Sequence, residues 1–192
     1  MKGKKLALIV GGLVIVVGLA AALSAESGSI EAYGDIAVVG SALPRHDPSL
    51  VDPAVGMPAP GIAGETVSVT PGGAPTVILF LAHWCSACQQ EVPSLTDWVE
   101  TNGIPVGVDL IAVATSTNPT QGNYPPSAWL EREGFPFPVV YDDEDNTAGI
   151  AYGVSAYPFW VVVDSEGNVV QRFSGVLPHE TVSDLFTAAS RL

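Results

Sequence analysis

Residues 76–82 (TVILFLA) form an unbroken apolar run, and Trp84-Cys85-Ser86-Ala87-Cys88 follows almost at once, where the chain turns to a helical pattern. A short run of this kind reads as a strand buried on both faces. Buried strands that alternate with helical stretches imply a sheet covered by helices on both faces. Residues 109–115 (DLIAVAT) give a second buried strand. Between the two runs, Val92, Leu95, Trp98 and Val99 recur at helical spacing through about Asn102.

Downstream, residues 127–133 read as a short helix, 138–141 as a short strand and 147–152 as a further helix. Residues 160–164 and 169–174 flank Ser165-Glu166-Gly167-Asn168, a hairpin turn sequence. Residues 178–192 close the chain as an amphipathic helix, with Pro178 suited to its first turn. The expected fold class is α/β, a central mixed sheet flanked by helices. Upstream, 35–40 (DIAVVG) reads as a possible edge strand, 43–60 as an extended lead-in rich in Pro, Ala, Gly and Asp, and 66–69 as a short β-prone segment.

The extreme N-terminus is different. Residues 6–23 carry no charged or strongly polar side chain. As a helix they would be about 27 Å long, enough for a hydrocarbon core. Lys2, Lys4 and Lys5 precede the run and no basic residue follows until Arg45. That asymmetry places the N-terminus in the cytoplasm and the rest outside. A cleaved signal peptide is the rival reading, with Ala20-Ala21-Ala22 as a small-residue cleavage site; the length of the run favours a retained anchor. The expected organisation is a cytoplasmic tail (1–5), a transmembrane helix (6–23), a linker (24–54) and one α/β domain (55–192), held as a single-pass protein of the cell membrane with its domain extracytoplasmic.

Charge narrows the partners. Beyond the three lysines only four arginines stand against 20 acids, and the whole chain carries a formal net charge of −13. Such a domain repels phosphate backbones, so no nucleic-acid partner is expected. The acidity itself reads as solubility more readily than as steering of basic partners.

The two cysteines are the only ones in the chain. A staple closing so short a loop would gain little chain entropy, so the pair reads as redox or metal chemistry. The first turn of a helix presents unpaired N–H groups and a partial positive charge, which would stabilise a thiolate at Cys85. Cys88, one turn on, would be more buried and placed to attack a mixed disulfide at Cys85. Zinc would need two further ligands, and His46, His83 and His179 are scattered. A copper-binding module using His83, Cys85 and Cys88 is the alternative, since soft thiolates suit Cu(I). Otherwise His83 reads as a polar surface residue at a strand end, and Asp142-Asp143-Glu144-Asp145 as a solvated turn without calcium-loop spacing. Trp98, Trp129 and Trp160 read as core or groove packing.

Two stretches, residues 80–95 (FLAHWCSACQQEVPSL) and 153–170 (GVSAYPFWVVVDSEGNVV), resemble the thioredoxin superfamily, and within it the membrane-anchored branch of TlpA-, ResA- and CcmG-like thiol–disulfide oxidoreductases. The likeness covers roughly residues 55–192. It implies a thioredoxin-like fold in which Trp84 precedes the nucleophile, Cys85 attacks, Cys88 resolves and Pro93 kinks the active-site helix. Tyr157-Pro158 alone reads as an ordinary trans turn; the resemblance makes Pro158 a cis-proline against the disulfide, with the Tyr157 backbone turned outward to pair with substrate. By pattern alone Glu91 lies on a solvated helix face; the resemblance makes it an acid that tunes the thiols or relays a proton. Thioredoxin proper carries a buried aspartate where this chain has Leu79.

The Ser-Ala between the cysteines matches neither thioredoxin nor the strong oxidases, so the direction of electron flow stays open. Residues 117–137 read as an insertion after the third core strand. The implied partners are protein thiols and disulfides, with a membrane electron donor or acceptor, acting on a monomer. Service to apocytochrome cysteines belongs to the same resemblance. No cofactor and no resident metal are expected. A peroxidase would want Thr or Ser where Ala82 stands, and a non-catalytic partner domain would not need the cysteine pair.

Overall fold

A computed structural model describes residues 32–192. The tail 1–5, the apolar run 6–23 and most of the tether lie outside the described residues. Among the described residues, no helix is long and apolar enough to cross a membrane.

The first apolar run is strand β3 (Thr76–Leu81), all six residues buried. It pairs in parallel with β4 (Asp109–Ala114) and antiparallel with β6 (Phe159–Val163). The outer strands are β5 (Val139–Tyr141) and β7 (Val169–Ser174), giving the order β5-β4-β3-β6-β7. The hairpin turn forms as the sequence suggests: Asp164 N–H donates to Asn168 O, and Asp164 Oδ1 accepts the N–H groups of Glu166 and Asn168.

Alternation along β3 sorts the core. Val77, Leu79 and Leu81 face one side, against Val92, Leu95 and Trp98 of α1 (Ser86–Asn102) and Phe186 of α4 (His179–Ala189). Trp98 and Phe186 stack at 5.5 Å and join the two helices. Trp129 and Leu130 of α2 (Pro126–Arg132) belong to this same core, so the insertion is packed into the globule. Ile78 and Phe80 face the other side, against Ala148 of α3 (Thr147–Ala151) and the neighbouring Tyr152.

Residues 35–40 do not edge the central sheet. β1 (Ala37–Val39) pairs antiparallel with β2 (Gly61–Ala63) in a separate two-stranded sheet. Residues 66–69 contribute only a bridge, Val69 to Ile62.

The lead-in is held down by one buried arginine. Leu43 and Ala54 enter the core on the α3 side. Arg172 of β7 grips Asp52 through Nε–Oδ2 (2.9 Å) and Nη2–Oδ1 (2.5 Å), and its Nη1 donates to Pro44 O (2.9 Å) and Tyr152 O (2.7 Å). The Arg172 guanidinium holds the Asp52 carboxyl below its ordinary range. The path is tight at Gly153, which has a positive φ of 66°. A Cβ there would stand 2.3 Å from Pro44 O, so only glycine fits.

Candidate active site

β3 delivers the chain to the C-terminal edge of the sheet, where Cys85 caps α1. Cys85 is extended (φ −75°, ψ 120°) and no side chain caps the helix. The first N–H groups of α1 therefore have no side-chain cap, and the residue at the cap position is Cys85 itself. Its N–H donates to Ala82 O at 3.0 Å, which closes the turn. Cys85 is partly exposed and Cys88 is fully buried, both as free thiols.

The Tyr157-Pro158 peptide is cis. The Cys85 thiol meets Tyr157 O at 3.6 Å, so the cis-proline loop and the first cysteine are direct neighbours although 72 residues separate them. Trp84, 38% exposed, packs edge-on against the Tyr157 ring at 6.1 Å, and its Nε1–H donates to Ser116 O at 2.7 Å. The two cysteines, Trp84, Tyr157 and Pro158 thus meet in one place.

Glu91 departs from the solvated helix face that pattern suggests. It is wholly buried, on the same stripe of α1 as Cys88, Val92 and Leu95. Oε2 accepts the Leu177 N–H at 2.7 Å, and Oε1 has no hydrogen-bond partner. Burial, opposed by the Leu177 N–H, lifts the carboxyl from an ordinary 4.5 to about 7. Burial also pushes the Cys88 thiol far up; a hydrogen bond with the Ala82 backbone opposes this, while Cys85 and the Glu91 charge add to it. A buried carboxyl group thus stands close enough to the buried Cys88 thiol for its charge to act on it.

This arrangement has a measurable cost. Because the folded-state value of Glu91 lies above its unfolded value, the folded chain holds that proton more tightly. The resulting stability is complete below about pH 4.5 and is lost as pH rises through about 7. Urea unfolding of Glu91→Gln should lack this fall, which is worth up to about 3 kcal/mol between pH 5 and 8.5. An equal fall in the variant and the native chain would refute the assignment.

His83 is a second correction. It is not a surface residue but is 1% exposed. Its Nδ1–H donates to Gly122 O at 2.8 Å and its Nε2 accepts the Asn118 N–H at 3.0 Å. Burial holds it below the usual histidine range, in its neutral form. Both ring nitrogens are engaged in fastening the inserted loop over the strand end, which leaves neither free to ligate copper beside the thiols.

The third correction is Asp142. Its neighbours Glu144 and Asp145 are solvated, but Asp142 itself is buried. It accepts from Thr115 Oγ1 (2.6 Å) and from the N–H groups of Asp143, Ala148 and Gly149. Asn146, in the left-handed region, accepts the Ser116 N–H at 2.7 Å. Thr115 and Ser116, which sequence reading passes over, thereby fix the carbonyl that holds Trp84. No local signal marks them, because their partners lie about 30 residues away.

The comparisons with known proteins agree with this geometry. The Redoxin family matches residues 53–188. The chain is similar to a thiol:disulfide interchange protein DsbE homolog of Paracoccus denitrificans, 30% identical over 159 residues, covering 77% of this chain and 82% of that protein. It is also similar to the thiol:disulfide interchange protein HelX of Rhodobacter capsulatus, 24% identical over 151 residues, covering 74% and 81%. The crystal structure of StoA from Bacillus subtilis superposes with a TM-score of 0.53 at 21% identity, over 63% of this chain and 88% of that one, and makes the fold thioredoxin-like.

Proposed function

The chain belongs to the Redoxin family and is a thiol–disulfide oxidoreductase, and from that premise we propose that Cys85 and Cys88 are its redox pair. One observation carries the reading. A partly exposed Cys85 sulfur sits at the start of α1 against the cis-proline loop, with Cys88 buried behind it.

In the reductive direction the Cys85 thiolate attacks one sulfur of a substrate disulfide. A mixed disulfide forms and one substrate thiolate leaves. Cys88 then gives up its proton and attacks the Cys85 sulfur. The second substrate thiolate departs, and the Cys85–Cys88 disulfide remains. Two electrons have passed to the substrate. Running the steps backward oxidises a substrate dithiol. Glu91, whose carboxyl titrates near neutrality, takes the Cys88 proton in one direction and returns it in the other. Tyr157 presents backbone to the substrate chain, and Trp84 and Pro158 shape the surface around the sulfur.

Residues 6–23 would hold the domain at the outer face of the cell membrane, as a monomer, where disulfides persist and need partners. Its substrates would be protein thiols and disulfides, apocytochrome cysteines among them, with a membrane protein supplying or removing electrons.

The test is alkylation and redox titration of the full chain. Brief iodoacetamide treatment of the reduced protein at neutral pH should label Cys85 and leave Cys88 untouched. Equilibration with glutathione buffers should show one two-electron transition between dithiol and intramolecular disulfide. Equal labelling of both cysteines, or no disulfide at any poise, would overturn the reading.

A further inference from the structure

A groove of about 480 Å³ is lined in part by Tyr157, the residue whose carbonyl meets the Cys85 thiol. Leu43, Ile150, Val154 and Tyr157 give it an apolar wall, and Ile150 is 67% exposed without a partner to cover it. Its polar end is Arg45 and Asn146. Asn146 Oδ1 is taken by the Ser116 N–H, which leaves its NH₂ to donate.

Two of the four arginines, Arg45 and Arg191, have no ion-pair partner among the described residues, and of these only Arg45 lines the groove. Arg172 is buried on Asp52, and Arg132 pairs with Glu133 at 3.4 Å. Arg45 is exposed and has no ion-pair partner among the described residues, in a domain otherwise dominated by acids. An unpaired cation at the mouth of a groove that shares Tyr157 with the thiol site marks that groove for a carboxylate.

We propose that this groove receives the stretch of substrate polypeptide next to the reactive cysteine, and that Arg45 selects a stretch carrying Asp or Glu beside an apolar residue. The inference rests on Cys85 being the attacking thiol. A substrate chain pairing with the Tyr157 backbone rises about 3.3 Å per residue and turns alternate side chains to one face, so a residue two places from its cysteine reaches the groove. The molecule's net field opposes this preference, because an acidic surface attracts lysine-rich chains. An acidic preference therefore reports the local site and not the overall charge.

The experiment uses the full-length reduced protein and two disulfide-linked peptides, alike except that aspartate or lysine flanks the cysteine at the second position on each side. Because the reading is a ratio of rates within one protein, effects on thiol chemistry common to both peptides cancel. The native chain should reduce the aspartate peptide about fivefold faster at low salt, and the ratio should shrink toward one near 1 M salt. Arg45→Gln should bring the ratio to one or below, where the acidic field of the domain takes over, and Arg45→Glu should lower it further. A native ratio at or below one, or a ratio that neither variant moves, overturns the proposal. Reduction of hydroxyethyl disulfide by the native chain separates the two readings. If it proceeds while the peptide ratio is flat, only the groove proposal falls. If it fails, thiol exchange falls and takes the groove with it.

Discussion

Cys85→Ser should lose disulfide exchange by about a thousandfold or more, because a serine hydroxyl at neutral pH is neither ionised nor able to form the mixed disulfide. Cys88→Ser should behave differently. Its first step is intact, so Cys85 still attacks, but nothing resolves the product. One substrate chain should stay bound to the protein through Cys85 and appear as a single-adduct mass, released by added reductant. The contrast follows from burial: Cys85 is reachable from solvent and Cys88 is reachable only from Cys85. Multiple-turnover reduction of a peptide disulfide, followed by mass spectrometry of the protein, reads both. Retained turnover in Cys85→Ser, or adducts carried by Cys88 in the native chain, would remove the redox pair from the mechanism.

Arg172→Ala should be the costliest single change away from the thiols, at about 3–5 kcal/mol in urea unfolding. It strands the Asp52 carboxylate and leaves Pro44 O and Tyr152 O without their donor. Replacing Arg172 and Asp52 together by apolar residues should recover part of the loss, because no lone charge is then left behind. The acid limb should change too. Asp52 titrates below its unfolded value in the fold, so its contribution is present above about pH 4 and is lost as pH falls through the lowered folded value. That limb should be absent from Arg172→Ala. A loss below about 1 kcal/mol would mean that the lead-in is not fastened by this residue.

Much of the sheet is legible because β3 and β4 carry a polar residue only at their first position, Thr76 and Asp109, and β6 carries none. β3 and β4 are apolar runs, and the turn at 165–168 has the chemistry a hairpin demands. Glu91 is the instructive error. It lies three residues after Cys88 and four before Leu95, so helical periodicity already places it on the buried stripe. Only the habit of assigning charges to water puts it outside. The burial of His83, Asp142 and Arg172 was not legible in this way. His83 and Arg172 are held by groups far along the chain, Asn118 and Gly122 for the one and Asp52 for the other, and Asp142 joins the distant Thr115 to the nearby N–H groups of Asp143, Ala148 and Gly149. A strand or turn pattern specifies which way a side chain points, and not what will be waiting there. β1 and β2 form a sheet of their own for a related reason, since three-residue strands carry too little alternation to fix a partner.

Tyr33 donates to Thr117 O at 3.4 Å and Gly34 N–H to Asp142 O at 3.2 Å, at the sheet edge where Cys85 emerges. Leu192 O accepts from Ser165 Oγ, beside the turn at the opposite edge. A fluorophore, bead or purification handle joined ahead of residue 32 would crowd the doorway that incoming chains must use. The same cargo fixed behind Leu192 would sit roughly a strand's length away, about 20 Å, and leave the doorway open.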